Sequence, residues 1–137
     1  MKVLSLQEPY ATFIKEGFKK IETRSWKTNY RGKLLIHAGK SNKWLNEISD
    51  SRVKRLLELT SLNHGKIICQ VDLVDCVYMD EQFIDEIKKN NEIEYLLGIY
   101  KVGRYAWILD NIKIIDNPIE INGKLNLWEF EMDGKGD

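Results

Sequence analysis

The chain has 137 residues, 43% of them hydrophobic and 31% charged, and its 21 Lys and Arg balance 21 Asp and Glu. A chain of that length suits one domain and buries about two-thirds of the surface its unfolded form exposes, so folding requires neither a disulfide framework nor a structural metal. The profile excludes a disordered segment, and no apolar run reaches the roughly 18 residues of a membrane helix.

The opening "MKVLSLQEPYATF" meets a glutamate and a proline too early for a signal peptide, which makes the cytoplasm the expected location. "KVLSL" reads as a strand. "QEPYATFIKEG" carries helix chemistry, with Pro9 suited to the first turn and Gly17 to the position past the end. "KKIETRSW" reads as a strand, "TNYRG" as a turn and "KLLIHAG" as an apolar strand. Helical spacing then runs from Ser41 to Thr60, where "SDS" at 49–51 divides it in two, with Asp50 or Ser51 capping the second part. "NHG" is a turn, and "KIICQVDLVDCVYM" is one long strand or a bent pair. Asp80 caps a helix over "EQFIDEIKKN", with Phe83, Ile84 and Ile87 on one face, and "EIEYLLGIY" adds a further helical turn. "RYAWILDNIKII" is a strand, "DNP" and "NG" are punctuation, and "KLNLWEFEM" closes the fold. Few crossover helices among many short strands predict an α+β domain: a small mixed β-barrel of five to six strands with helices outside it. Residues 1–132 form that domain, and 133–137 a C-terminal tail.

Net charge is zero but unevenly spread. Residues 1–55 carry 13 Lys and Arg against 5 Asp and Glu, and residues 56–137 carry 8 against 16. Such asymmetry marks either a nucleic-acid-facing side or two halves that attract each other. Cys69 and Cys76 lie seven apart, on opposite faces of an unbroken strand, and read as two buried reduced thiols. With His37 and His64 the only histidines, a zinc site lacks ligands. Phosphate loops, dinucleotide fingerprints and nucleophile elbows are absent, so no cofactor is expected.

The stretch "GFKKIETRSW" concentrates the polar chemistry. Strand alternation places Lys20, Glu22 and Arg24 on one face. On a wet face the charges pair weakly. In a cleft, Glu22 accepts from a base's amino or imino groups, Arg24 stacks on a base or grips phosphate, and a desolvated lysine serves as base or nucleophile. Tyr10 and Trp26 are candidate stacking platforms. His37 is either a buried histidine satisfied by a carbonyl or a donor to phosphate at the cleft edge. Trp107 and Trp128 read as core. Lys19, directly after the Gly17 bend region, escapes strand parity and can face the same side as Glu22.

Four blocks in order resemble the ASCH family of the PUA-like superfamily: "LSLQEPYATFIKEGFKKIETRSW", "YRGKLLIHAGK", "GKIICQVDLVDC" and "GRYAWILDNIKIIDNPIEINGKLNLWEF". The family's Gly-x-Lys-x-x-Glu-x-Arg motif falls on Gly17, Lys19, Glu22 and Arg24. The resemblance implies a barrel whose cleft is lined by these residues and binds RNA or a nucleotide-like ligand. One class of the family hydrolyses N4-acylated cytidine with the motif lysine, a threonine three residues later and a distant glutamate. Lys19 matches the lysine, whereas the threonine position holds Glu22; the run from Asp80 to Glu94 offers several candidates for the glutamate. Three functions therefore stand: a cofactor-free RNA or nucleotide binder, a metal-independent hydrolase using Lys19 and Glu22, and a protein-interaction module. The sequence fixes neither the ligand nor the oligomeric state.

Overall fold

A computed structural model describes residues 1–131; the expected tail at 133–137 lies outside them. The elements are β1 (Lys2–Leu6), α1 (Tyr10–Lys15), β2 (Ile21–Arg24), β3 (Gly32–Ala38), α2 (Ser51–Glu58), β4 (Lys66–Tyr78), α3 (Glu81–Asn90), α4 (Glu92–Leu96), β5 (Tyr105–Glu120) and β6 (Leu127–Glu129), with a 3₁₀ turn at Leu45–Glu47. One curled sheet of six strands in the order β2-β5-β4-β3-β1-β6 forms a half-barrel, and four helices accompany it. β1 and β3 run parallel; the other neighbours are antiparallel. This is the α+β, PUA-like architecture expected. Among the described residues no helix is long and apolar enough to cross a membrane.

The main core lies inside the curl. Leu4, Leu34, Ile36, Val71, Leu73, Trp107 and Leu109 from the strands meet Ala11 and Ile14 of α1. Trp107 is fully buried and Trp128 nearly so, as their apolar strands predicted. Two satellite clusters attach the helices. Phe13 meets Val53 of α2 and Leu97 beyond α4, while Phe83, Ile84 and Ile87 of α3 cover Ile21, Met79 and Ala106. Asp50 is the cap of α2: its Oδ1 accepts from the Arg52 and Val53 amides at 2.8 and 3.4 Å, satisfying donors the helix leaves open.

Several boundaries differ from the expectation. β2 keeps only Ile21–Arg24: before it the Lys19 amide donates to the Phe13 carbonyl and the Lys20 amide to Glu94, while the Lys20 carbonyl still accepts from the Leu109 amide of β5. Pro9 precedes α1 instead of lying in its first turn. Gly17, at φ +83°, ends that helical stretch in the left-handed conformation glycine tolerates. "DNP" is not a turn: β5 runs through it, but pairing slips there. Cys69 faces Ile114 and Ile67 faces Ile119, so β5 has three more residues than β4 between those pairs. A second bulge on β5 centres on Asn111, at φ +59°, whose Nδ2 donates to Asp72 Oδ2 at 3.0 Å. Among the described residues of "KLNLWEFEM", Leu127–Glu129 is strand.

The long strand β4 also bulges, between Leu73 and Asp75, where β4 has one residue more than β5. This overturns the opposite-face reading of the cysteines. Beyond the bulge Cys76 sits across from Trp107 and packs against the same core that holds Cys69. Cys69 is buried, Cys76 is half-buried, and both are free thiols.

The uneven charge is partly resolved within the fold. Arg52 meets Glu92 at 2.8 Å, Lys2 meets Glu129 at 2.8 Å and Arg31 meets Asp75 at 3.6 Å, each pairing the basic half with the acidic one. These pairs are exposed and contribute little individually.

Candidate functional site

A cavity of about 500 Å³ opens between the end of β1, the start of α1, β2 and the segment after α4. Tyr10, Lys19, Glu22, Arg24 and Trp26, all singled out from the sequence, line it together. Arg104, Lys124 and Trp44 join them from distant parts of the chain. The volume lies within the range of small-molecule sites.

Lys19 is 1% exposed. Its Nζ donates to the carbonyls of Ile21 and Leu97, both at 2.6 Å, and lies 3.6 Å from Glu22 Oε1 and 5.8 Å from the centre of the Tyr10 ring. Burial pushes its pKa below the ordinary lysine value; the charges of Glu22 and Glu94 oppose that shift. Burial and the nearby Glu22 raise the pKa of Tyr10.

Glu22 Oε2 lies 2.9 Å from Arg24 Nε. That nitrogen nevertheless has no directed hydrogen bond, so the contact is a charge pair whose N–H points off the line between the atoms. Arg24 Nη2 donates to the Ser5 carbonyl at 2.9 Å. Arg104 is fixed similarly, by Nε to the Ile99 carbonyl at 3.0 Å and Nη2 to the Thr23 carbonyl at 3.2 Å. Among the described residues Nη1 of each arginine has no hydrogen-bond partner. The lining thus carries four cationic side chains and one carboxylate.

One group behind the cavity, Glu94, and one in its lining, Gly98, shape it. Glu94 is buried and accepts from the amides of Lys20 at 2.8 Å and Ile21 at 3.2 Å, holding the entry to β2 in place of ladder bonds. Burial raises its pKa, while Lys19 and the two amides oppose the rise. Gly98 leaves no room for a side chain: a Cβ there would lie 2.9 Å from Thr23 Cγ2 and 3.0 Å from a Tyr100 ring carbon.

His37 lies outside the cavity lining. It is fully buried, with Nε2 2.7 Å from the Ile121 carbonyl and Nδ1 3.1 Å from Ser5 Oγ. A carbonyl only accepts, so Nε2 carries the proton and Nδ1 accepts from the Ser5 hydroxyl. Ser5 Oγ in turn accepts from Trp128 Nε1 at 3.1 Å. Lys20 is exposed, as the solvated neighbour in the motif. Among the described residues no three His, Cys, Asp or Glu side chains converge to hold a metal ion.

Residue spacing could not reveal Arg104, Lys124 or Trp44, which reach the cavity only through the fold. Glu94 belongs to the acidic run noted above, and its burial and its two backbone contacts distinguish it from its acidic neighbours.

The curled sheet and its charged, aromatic cavity define a PUA-like domain. The chain belongs to the ASCH domain family, whose model matches residues 4–119. It is 34% identical over 138 residues to Activating signal cointegrator 1 of Mus musculus, and equally to that of Homo sapiens, with 93% of this chain covered. The chain spans 22% of the length of those relatives. Among solved structures, the ASCH protein from Zymomonas mobilis superposes with a TM-score of 0.62 at 16% identity, covering 98% of this chain and 90% of the other. A serine-to-alanine mutant of that bacterial protein gives a TM-score of 0.55 at 18% identity, covering 88% and 73%. At such identities the likeness is one of fold.

Proposed function

We propose that the cavity binds RNA or a nucleotide-like ligand without a cofactor. The observation that carries this reading is the meeting of Tyr10, Trp26 and Trp44 with Arg24 and Arg104, each arginine keeping an Nη1 that no described residue engages. Aromatic faces stack on any base, and planar guanidinium groups grip phosphate. Zero net charge fits recognition of a few nucleotides rather than tight non-specific binding along a duplex. Titration of short single-stranded RNA and nucleotides against the wild type, Arg24→Ala and Arg104→Ala tests the reading. Both variants should bind at least fivefold more weakly; unchanged affinity in both would sink it.

One observation favours a second reading, a metal-independent hydrolase acting on an acylated base or on RNA. When neutral, Lys19 can donate its two N–H groups to the Ile21 and Leu97 carbonyls and keep its lone pair for a proton or an electrophile in the cavity it lines. Turnover would then proceed with chelator present and vanish in Lys19→Ala. Absence of turnover at high protein concentration would count against it.

A further inference from the structure

We infer that the Glu22–Arg24 pair reads the Watson–Crick edge of guanine, making this a site for a guanine nucleotide or an unpaired guanosine in RNA. The inference rests on the nucleotide-binding reading above and adds the identity of the base.

The argument is one of donors and acceptors. Glu22 is an ion-paired carboxylate, and a carboxylate is acceptor-only, with about two lone-pair sites on each oxygen. None of these sites receives a directed hydrogen bond from the described residues: Lys19 stands 3.6 Å away, and the Arg24 Nε–H points off line. Both oxygens therefore remain able to accept. Arg24, beside it, presents Nη1 as a donor. The pair thus supplies one donor and two acceptors, a set that can meet a base edge in the sequence donor, acceptor, acceptor. Guanine presents the complement: the O6 acceptor, then the N1–H and N2–H donors. Adenine and cytosine each offer one amino group beside a ring-nitrogen acceptor. Uracil flanks its single imino group with two carbonyls, one of which would face a carboxylate oxygen. Leaving a site's hydrogen-bonding group unmatched discriminates strongly, because the desolvated partner stays unpaired. Arg104 and Lys124, from other parts of the lining, then supply charge for the phosphate.

Calorimetric titration with the 5′-monophosphates of guanosine, inosine, adenosine, cytidine and uridine tests this on the unaltered protein. All carry the same phosphate, and inosine differs from guanosine only in lacking the 2-amino group. The guanosine form should bind at least tenfold tighter than the adenosine and uridine forms, and about tenfold tighter than the inosine form. Glu22→Gln should abolish the preference for the guanosine form over the inosine form. Equal affinity for guanosine and inosine forms would overturn the inference. Binding of all five within threefold would do so too, while leaving the nucleotide site intact. Absence of any binding would remove both readings.

Discussion

The Lys19 ammonium nitrogen lies 2.6 Å from the carbonyl oxygen of Leu97, 78 residues along the chain, at the residue that closes α4. One buried cation thus ties the entry of β2 to a helix C-terminus, where positive charge is favoured. A second bond to the Ile21 carbonyl completes the hold. Lys19→Met should therefore destabilise the protein by about 3 kcal/mol, since two carbonyls and Glu22 lose their partner. Its pKa is lowered from 10.5, so between the lowered value and 10.5 the unfolded chain binds more protons than the folded one. Stability from this group rises with pH across that window and is lost as pH falls through it. Urea denaturation from pH 7 to 10 should show an upward trend that Lys19→Met reduces.

Glu94 supports the same corner from behind. Glu94→Ala strands the Lys20 and Ile21 amides, at about 1–3 kcal/mol each. Hydrogen exchange at these two amides should accelerate well beyond that of the β4 ladder. Unchanged protection at Ile21 would contradict the assignment. Because burial raises the Glu94 pKa above 4.5, its contribution is fully present below that value and declines as pH rises through the raised one.

His37 should make the protein acid-sensitive. Burial, aided by the charge of Lys40, lowers its pKa from 6.5, against the Ile121 carbonyl. As pH falls below 6.5 the unfolded chain takes up the proton first, so stability drops through the lowered value, by at most about 1.4 kcal/mol per pH unit. Tm measured from pH 7 to 5 should fall, and His37→Gln should flatten the fall. Gly123 packs so closely on this group that an added Cβ would lie 2.7 Å from both His37 Cε1 and Ser5 Oγ. Gly123→Ala should therefore lower Tm.

The two thiols should differ. Burial pushes Cys69 up to about 12, so it resists alkylation in the native state, since the thiolate is the nucleophile. Cys76 is half-buried. Iodoacetamide at pH 8 should label Cys76 alone in native protein and both residues in urea, read by peptide mass. Equal native labelling would contradict the burial of Cys69.

Apolar periodicity by itself determined the order of strands and helices, because burying one face of each element requires that spacing. Gly17 and Asp50 marked helix ends by local backbone needs that any context would impose. Lys19, Glu22 and Arg24 were legible as a group because they lie in β2 and its approach and the ASCH-like motif runs through them, with Trp26 just beyond the strand and Tyr10 in the helix before it. What the sequence left open depends on partners far along the chain. Whether "DNP" turns or bulges was settled by where β5 could pair with β4. The Leu73–Asp75 bulge placed Cys76 beside the core that holds Cys69, since one extra residue reverses every later side chain. Arg104, Lys124 and Trp44 joined the cavity, and His37 was turned away from it, only when the sheet curled. Side-chain chemistry is written locally, but which groups share a cavity is set by strand register and curvature, which no single segment carries.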